Sequence, residues 1–566
     1  MLPTGISTSS NKPIWYFLLF WTILNALQSY TLELHGDEAY YWVYSRFLDW
    51  GYFDHPPMVA IFIRIGDSIM HNELGLRLLT VITNSASLYL LWLILKKYAV
   101  GAKWFIAVAS GLFIFHMYGF TTTPDSPLFF FTVLFYYFYQ RYIDEDKWSL
   151  ALLLGIIAAC LLYSKYHGIL VIGLTLCANI KLLRRKSFWL IAFLAAILFM
   201  PHVLWQFNHD FPSLKYHLVD RSEKYDWSFT AVYPLGQLAM AGPLIGWFLF
   251  YAAAKVRTKG DIFIRTLVVN CVGTFLFFWI NTFKGNVQMH WTLVAYVPLI
   301  MLVLISFKQS AYPPKWFFRL TLVNTALILF VRFALMVQLP FVMKVGQFES
   351  YYGFREWTKQ VHSIVGDNYV IIRDGFQDPS KYNYYSNSLK AFSYDTRYYR
   401  KTQYDMWPIE DSMQHKKALY MSEYNEPGCT TDSLVALYGR KWYTGWVNNV
   451  QTFQKAEISI FSGATTAKPG QTVTMDLLLA TGRLDPFMTI IPKLHLPPGK
   501  AFLEACFLQN GDLKLASQPL DGSTPYENKY KFKVPDKPGK YELLFSIRTV
   551  PFPGSKNSEM VEFTVK

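Results

Sequence analysis

The sequence predicts an α-helical polytopic membrane protein of about eleven transmembrane helices. An extracytoplasmic α/β region and a β-sandwich of immunoglobulin type are expected to follow. Three observations carry this reading. Apolar residues make up 52% of the 566 and charged residues only 16%, whereas a soluble protein is nearer a quarter charged. Apolar segments close to 20 residues long recur from Ile14 to about Pro340 and then stop, each long enough to cross a hydrocarbon core. Beyond Ala456 the pattern changes to short alternating strands separated by turns, the spacing of a sandwich. Disorder, a coiled coil and a small disulfide scaffold are excluded.

The spans are expected at 14–30, 75–95, 103–120, 127–140, 148–163, 167–183, 188–206, 231–253, 265–282, 289–306 and 317–339. With Lys12 in the cytoplasm, seventeen basic residues fall in inner loops against seven in outer ones, in keeping with the positive-inside rule. An odd number of spans then puts 341–566 outside. The expected domains are a membrane domain (1–340), an α/β domain (341–455) and a sandwich (456–566), in a multi-pass protein of the plasma (inner) membrane. The net charge of +14 is thus a topology signal, and the bilayer, not nucleic acid, is the partner it implies. No small-residue cleavage site follows the first span, so that span is expected to remain as a helix.

The acids are distributed differently. Of the 16 before residue 341, twelve lie outside, seven of them between Glu33 and Glu73. Topology does not require this clustering, because acidic residues weigh little in the rule. An active or binding site on the outer surface would explain it. Cysteine is sparse: Cys160, Cys177 and Cys271 lie in spans, and Cys429 and Cys506 in the tail. The compartment permits a Cys429–Cys506 disulfide, but the two fall in different expected domains.

The first outer loop opens with Asp37-Glu38. The pattern from Glu38 to Trp50 suits an interfacial helix, with Tyr40, Tyr41, Trp42, Tyr44, Phe47 and Trp50 as headgroup-level anchors. Pro56 and Pro57 end that stretch, and a second amphipathic helix is expected from Met58 to Met70. Carboxylates at a helix start act as caps, so the dipeptide alone is open between cap and site. Asp125, beside Pro124 and Pro127, is open between a helix cap and a second acid of the site. Lys165 stands at the outer end of a span, where snorkelling or phosphate binding would place it. Arg77 lies just inside the second span, where a charge is expensive; pairing with Glu73 is its plainer explanation. Four histidines, His35, His55, His71 and His167, share this surface without metal-ligand spacing. No cofactor is required by the pattern, and a divalent metal held by these with Asp37 is the alternative. The loop from Phe207 to Ser228, carrying Lys215, His217, Arg221 and Lys224, is long enough to close over a site.

Gly36-Asp37-Glu38-Ala39-Tyr40-Tyr41-Trp42, followed by Asp49-Trp50-Gly51-Tyr52-Phe53-Asp54-His55-Pro56-Pro57, resembles the first-loop signature of glycosyltransferases of the C superfamily. More narrowly, it is similar to bacterial members of the dolichyl-phosphate-mannose protein mannosyltransferase family, which includes the lipid A aminoarabinose transferases. Thr123-Pro124-Asp125-Ser126-Pro127-Leu128, Tyr163-Ser164-Lys165-Tyr166-His167-Gly168 and, in the tail, Gln403-Tyr404-Asp405-Met406-Trp407 resemble further motifs of that group. Met289-His290-Trp291 departs from it, since Asn-Trp is the related pattern.

The resemblance implies transfer of a hexosyl or pentosyl group from a polyprenyl phosphate to a lipid, glycan or protein acceptor on the outer membrane face. The leaving phosphate is already an anion, so the site must supply a base and cations. Asp37 matches the catalytic acid and would deprotonate the acceptor in an inverting single displacement. Glu38 and Asp125 would support it, and Lys165, Arg77 and Arg64 would hold the donor phosphate. Asp54, His55, Tyr166, His167 and Tyr404 would position the acceptor or its loops. Two other classes compete. A transporter or flippase of lipid-linked sugars predicts deep ionisable residues and broken or repeated helices. A non-catalytic receptor would leave the acidic loop unexplained. In the tail, strands are expected at Thr472–Leu479, Phe502–Leu508, Lys529–Val534, Tyr541–Ile547 and Met560–Val565, with no catalytic constellation among them.

Overall fold

The computed structural model describes residues 11–221, 223–310, 313–343, 345–435, 440–481, 501–510, 512–520 and 527–566. They fall into two compact units, Met1–Tyr352 and Gly353–Lys566.

The first unit is helical. It begins with α1 (Lys12–Thr31), α2 (Gly36–Arg46), α3 (Met58–Ile69), α4 (Glu73–Lys96), α5 (Ala102–Gly111), α6 (Phe113–Met117), α7 (Asp125–Asp144) and α8 (Trp148–Ser164). It continues through α9 (Gly168–Ala178), α10 (Lys186–Asn208), α11 (Pro212–Lys215), α12 (Trp227–Ala241), α13 (Gly246–Ala254), α14 (Ile262–Asn281), α15 (Leu293–Gln309) and α16 (Lys315–Met336). Each expected span overlaps helix, but 103–120 is broken at Leu112 and 231–253 between Ala241 and Gly246. Among the described residues five helices are long and apolar enough to cross a membrane, or six if α12 and α13 count as one bent span. α1 and α7 are of similar length, but Asn, Gln, Ser and Tyr dilute their apolar content. Helix α15 forms the centre, with 89% of its apolar window buried, while α10 is peripheral at 11%.

The α12–α13 pair bends by 94°. Gly242 carries φ +137° there, and a Cβ would lie 2.8 Å from Gly111 O. Broken backbone inside apolar surroundings needs new partners. Asn324 supplies them, accepting Leu244 N–H (3.0 Å) and donating to Gly111 O (2.8 Å).

The loop between the first two expected spans differs from expectation. α2 and α3 form as predicted, but Tyr40, Tyr41, Trp42 and Tyr44 are buried within the protein instead of anchoring in headgroups; Trp50 stays exposed. Their hydroxyls and rings find protein partners. Tyr44 stacks on Tyr52 at 3.9 Å, and Tyr52 Oη donates to the carbonyls of Tyr44 and Phe47, closing the turn that carries Asp54. Gly51 at that turn lies so close to Trp205 that an added Cβ would overlap the indole.

The second unit opens with α19 (Phe354–Val365); the short helices α17 (Pro340–Met343) and α18 (Gly346–Glu349) precede it in the first unit. It contains β1 (Tyr369–Arg373), α20 (Gln377–Tyr385), β2 (Ala391–Tyr394), α21 (Ile409–Met413), β3 (Ala418–Ser422), β4 (Asp432–Val435) and β5 (Lys441–Val447). Their sheet has the order β2-β1-β3-β5-β4, parallel through β2, β1 and β3. There follow β6 (Ala456–Gly463), β7 (Thr466–Ala467), β8 (Thr472–Thr481), β9 (Ala501–Gln509), β10 (Asp512–Leu520), β11 (Glu527–Lys533), β12 (Gly539–Thr549) and β13 (Val561–Val565). They form sheets β10-β9-β12-β13-β7 and β11-β8-β6. Val473, Met475 and Leu477 from one sheet and Leu503, Ala505 and Phe507 from the other share one apolar core.

The border expected at 455/456 lies inside this unit and is crossed by buried contacts. Arg397 pairs with Glu504, and Tyr394 Oη donates to Pro553 O. Cys429 and Cys506 are free thiols.

Candidate active site

The polar centre of the first unit is assembled along α4. Arg77, Thr80 and Asn84 recur at helical spacing and form one stripe. Arg77 is wholly buried. Its Nε and Nη2 bond both carboxylate oxygens of Glu38 (2.8 and 2.6 Å), while Nη1 and Nη2 cap the last carbonyls of α1 and its exit, Ser29, Leu32 and Glu33 (2.8–3.0 Å). Thr80 bonds Thr122 Oγ1 (2.7 Å). Asn84 accepts from Trp21 Nε1 (2.7 Å) and donates to Tyr118 O (3.2 Å). This stripe therefore fixes the end of α1, the start of α2 and the strap 118–122 that leads to Asp125.

Glu38 completes the join. It accepts His35 N–H (3.0 Å) in a capping box and Thr122 N–H (2.8 Å). The capping role thus belongs to Glu38. Asp37, one position earlier, keeps 38% of its side chain exposed, with its own N–H donating to His35 Nδ1 (3.3 Å). The expectation that Arg77 holds a donor phosphate is corrected here: every guanidinium nitrogen is engaged by protein oxygens in a fully enclosed site.

Asp125 starts α7, and both its oxygens accept from Lys165 Nζ (2.9 and 2.7 Å). The pair is buried, at 3% and 7% side-chain exposure. His290 Nε2 stands 3.9 Å from Asp125 Oδ2. It also lies within electrostatic reach of Lys165, Asp37 and Arg221. Arg221 stacks over Trp291 at 4.1 Å. His167 packs on Phe278 and Trp291 (4.9 and 5.8 Å).

The loop after α10 docks on the first-loop turn. Ser213 Oγ donates to Tyr52 O (2.9 Å) and accepts from Gln206 (2.8 Å), which also donates to Tyr166 Oη (3.0 Å). Tyr166 Oη meets His202 Nε2 at 3.0 Å, and His202 Nδ1 meets Trp50 O at 2.8 Å. His217 Nε2 lies 3.0 Å from Asp54 O, which requires the proton on Nε2. Burial holds the His217 ring below its ordinary range. His55 lies between Tyr41 and His217 (5.8 and 6.0 Å), and Asp54 accepts from Tyr44 (3.3 Å). Among the described residues no three His, Cys, Asp or Glu side chains converge as metal ligands.

Asp125, Lys165 and Asp37 all lie within electrostatic reach of His290, and His167 within that of Lys165; Asp54 and His55 sit in the docked turn, and Tyr166, between α8 and α9, packs on His217 (6.0 Å). Arg64 is exposed on α3 and donates to Ser45 O (3.3 Å), and no contact among the described residues links it to Lys165. Tyr404 is a core residue of the second unit. It is fully buried and bonded to Ser380 (2.9 Å) and Asn383 (3.3 Å), which corrects the expectation that it touches an acceptor. Sequence reasoning gave neither His290 nor Arg221 a place in the site: the first was noted as the Met289-His290-Trp291 departure, the second as part of the loop expected to close over it.

Similarity to known proteins points the same way. The family model described as dolichyl-phosphate-mannose-protein mannosyltransferase matches residues 54–205. The lipid A galacturonosyltransferase RgtD of Rhizobium johnstonii is 24% identical over 287 residues, covering 46% of this chain; the chain spans 58% of that relative's length. Crystal structures of ArnT from Cupriavidus metallidurans, in the apo state and bound to undecaprenyl phosphate, match with a TM-score of 0.57 at 12% and 13% identity. Both matches cover 77% of this chain and 98% of ArnT. Residues 54–205 thus match the dolichyl-phosphate-mannose-protein mannosyltransferase family model, and the chain shares the fold of the ArnT crystal structures.

Proposed function

We propose that this protein transfers a sugar from a polyprenyl-phosphate donor to an acceptor hydroxyl, amide or phosphate at the outer face of the plasma membrane. The observation that carries the reading is a partly open Asp37 carboxylate that shares the electrostatic surroundings of His290 with the enclosed Asp125–Lys165 pair. The acceptor oxygen or nitrogen attacks C1 of the sugar as the C1–O bond to phosphate breaks. The acceptor proton passes to Asp37, the polyprenyl phosphate leaves as an anion, and the anomeric centre inverts. Lys165 and Arg221 supply positive charge for that anion. Asp125 orients Lys165, and Glu38 holds Asp37 in place. Undecaprenyl phosphate, the lipid bound in one of the ArnT crystal structures, is the donor lipid we expect. RgtD, named for galacturonosyl transfer to lipid A, makes a glycolipid acceptor the first to try. Basic residues along the inner loops favour a cytoplasmic N-terminus with 341–566 outside.

The bent α12–α13 pair and the buried Arg332 on α16 favour the transporter reading. Arg332, however, is bonded to Asn25 (2.8 Å), Gln28 and His116, and the break is sealed by Asn324, so both serve helix packing. Purified protein incubated with polyprenyl-phosphate sugars and membrane acceptors, beside Asp37→Asn, separates the classes. Transfer that Asp37→Asn abolishes supports the enzyme; lipid-linked sugar crossing vesicles without transfer would overturn it.

A further inference from the structure

This inference rests on the reading of Lys165 as the cation for the donor phosphate. In the structure its ammonium is committed to both oxygens of Asp125. If it turns to a phosphate, it leaves behind a carboxylate that is 3% exposed, and a buried charge stripped of its partner is strongly disfavoured. Something must replace it. Thr123, Pro124 and Ser126 beside Asp125 bring no second cation. The side chain standing next is His290, whose Nε2 is 3.9 Å from Oδ2, about 1 Å beyond hydrogen-bond distance.

His290 is placed to move that far and no farther. Its ring sits 6.0 Å from Tyr118 and keeps 31% of its side chain exposed. Its backbone turn, Met289–Thr292, is fixed on α12: Thr292 Oγ1 donates to Gln237 Oε1 (2.6 Å), and Gln237 Nε2 donates to Met289 O (3.3 Å). A rigid turn with a partly open ring allows rotation of the side chain without movement of the helix.

We propose that His290 is a positioning residue that takes over the Asp125 carboxylate when Lys165 turns to the donor phosphate. One partner is exchanged for another, so Asp125 is never left alone and the ammonium is released to the anion. A neutral ring with the proton on Nε2 is enough, and no proton changes owner. The exchange would make donor binding depend on an N–H at position 290, whereas the acceptor step at Asp37 would not.

The test uses full-length protein in detergent and undecaprenyl phosphate as the probe. His290→Phe keeps a ring against Tyr118 but removes the N–H; His290→Asn is smaller but retains one. The Phe variant is expected to bind the probe about tenfold or more weakly, as loss of a hydrogen bond to a charged group implies. The Asn variant is expected to recover most of that loss. In transfer assays the Phe variant should raise the donor KM and leave the acceptor KM unchanged. Thermal unfolding without ligand should be alike for all three, which separates this role from a merely structural one. If the Phe variant binds like wild type while Lys165→Ala loses binding, Lys165 reaches the phosphate without releasing Asp125 and the exchange is overturned. If wild type itself fails to bind, or Lys165→Ala binds normally, the phosphate reading of Lys165 falls and the exchange falls with it.

Discussion

Replacing Arg77 by Met tests how the site is held. The side chain makes five hydrogen bonds, two to Glu38 and three to carbonyls at and after the end of α1, and neither it nor Glu38 is exposed. Removing one partner of a buried ion pair costs about 3–5 kcal/mol. The abandoned carbonyls add to that, bringing the loss to about 5 kcal/mol or more, comparable with the lower end of a domain's total stability. Much of the loss is the stranded Glu38 charge, which among the described residues keeps the N–H groups of His35 and Thr122. Adding Glu38→Gln removes that charge, so the double variant should regain about half of the stability. The measurement is reversible unfolding of the full-length protein in mixed micelles, with wild type, both single variants and the double variant as a cycle. A loss below about 1 kcal/mol for Arg77→Met, or a double variant no more stable than it, would refute the argument that this pair holds the two outer segments together.

Asp37→Asn should lower transfer by about 10²–10⁴-fold, the usual contribution of a general base, while undecaprenyl-phosphate binding measured on the same preparation stays unchanged. Tyr404→Phe should lower stability by about 1 kcal/mol through loss of its bonds to Ser380 and Asn383, with acceptor KM unaltered in a transfer assay. In the second unit, burial and the neighbouring Asp405 push Asp395 well above the carboxylate range, and burial raises Asp405 as well. Both acids bind protons more tightly folded than unfolded. Their contribution is therefore full below about pH 4 and fades as pH rises through the raised values. The unfolding transition of the second unit, followed in the full chain, should lie higher at pH 5 than at pH 8. Asp395→Asn should flatten that difference.

The helices of the membrane part were legible because bilayer thickness imposes a length and an apolar content that survive in the composition. Asp37, Asp125 and Lys165 could be singled out as candidates for a related reason: charged groups near span ends stand out against an apolar background. The pairing of Arg77 with Glu38 was not. It joins residues 39 apart in sequence, and the nearer Glu73 offered a local partner that the fold does not use. The stripe Arg77, Thr80, Asn84 was visible in hindsight as polar residues at helical spacing inside a span. The aromatic run of the first loop was misread as membrane-facing because Tyr and Trp suit both an interface and a core with polar partners. The turn at Tyr52, whose hydroxyl fills the Tyr44 carbonyl and whose ring stacks on Tyr44, decides between them. Tyr404 was carried into the site by motif likeness alone, and nothing in its local sequence separates a buried core tyrosine from a contact residue.

The join made by Glu38 bears on how this protein can be rebuilt. One carboxylate receives bonds from α4, from the residue before α2 and from the strap ahead of α7. The loop that follows α1 is therefore not a cassette. A chimera that imports residues 36–57 from a relative to alter acceptor choice would carry a Glu38 shaped for someone else's arginine and strap. Grafting 29–77 together with 118–126 moves the complete joint, the smallest unit that can be exchanged without loosening the bundle.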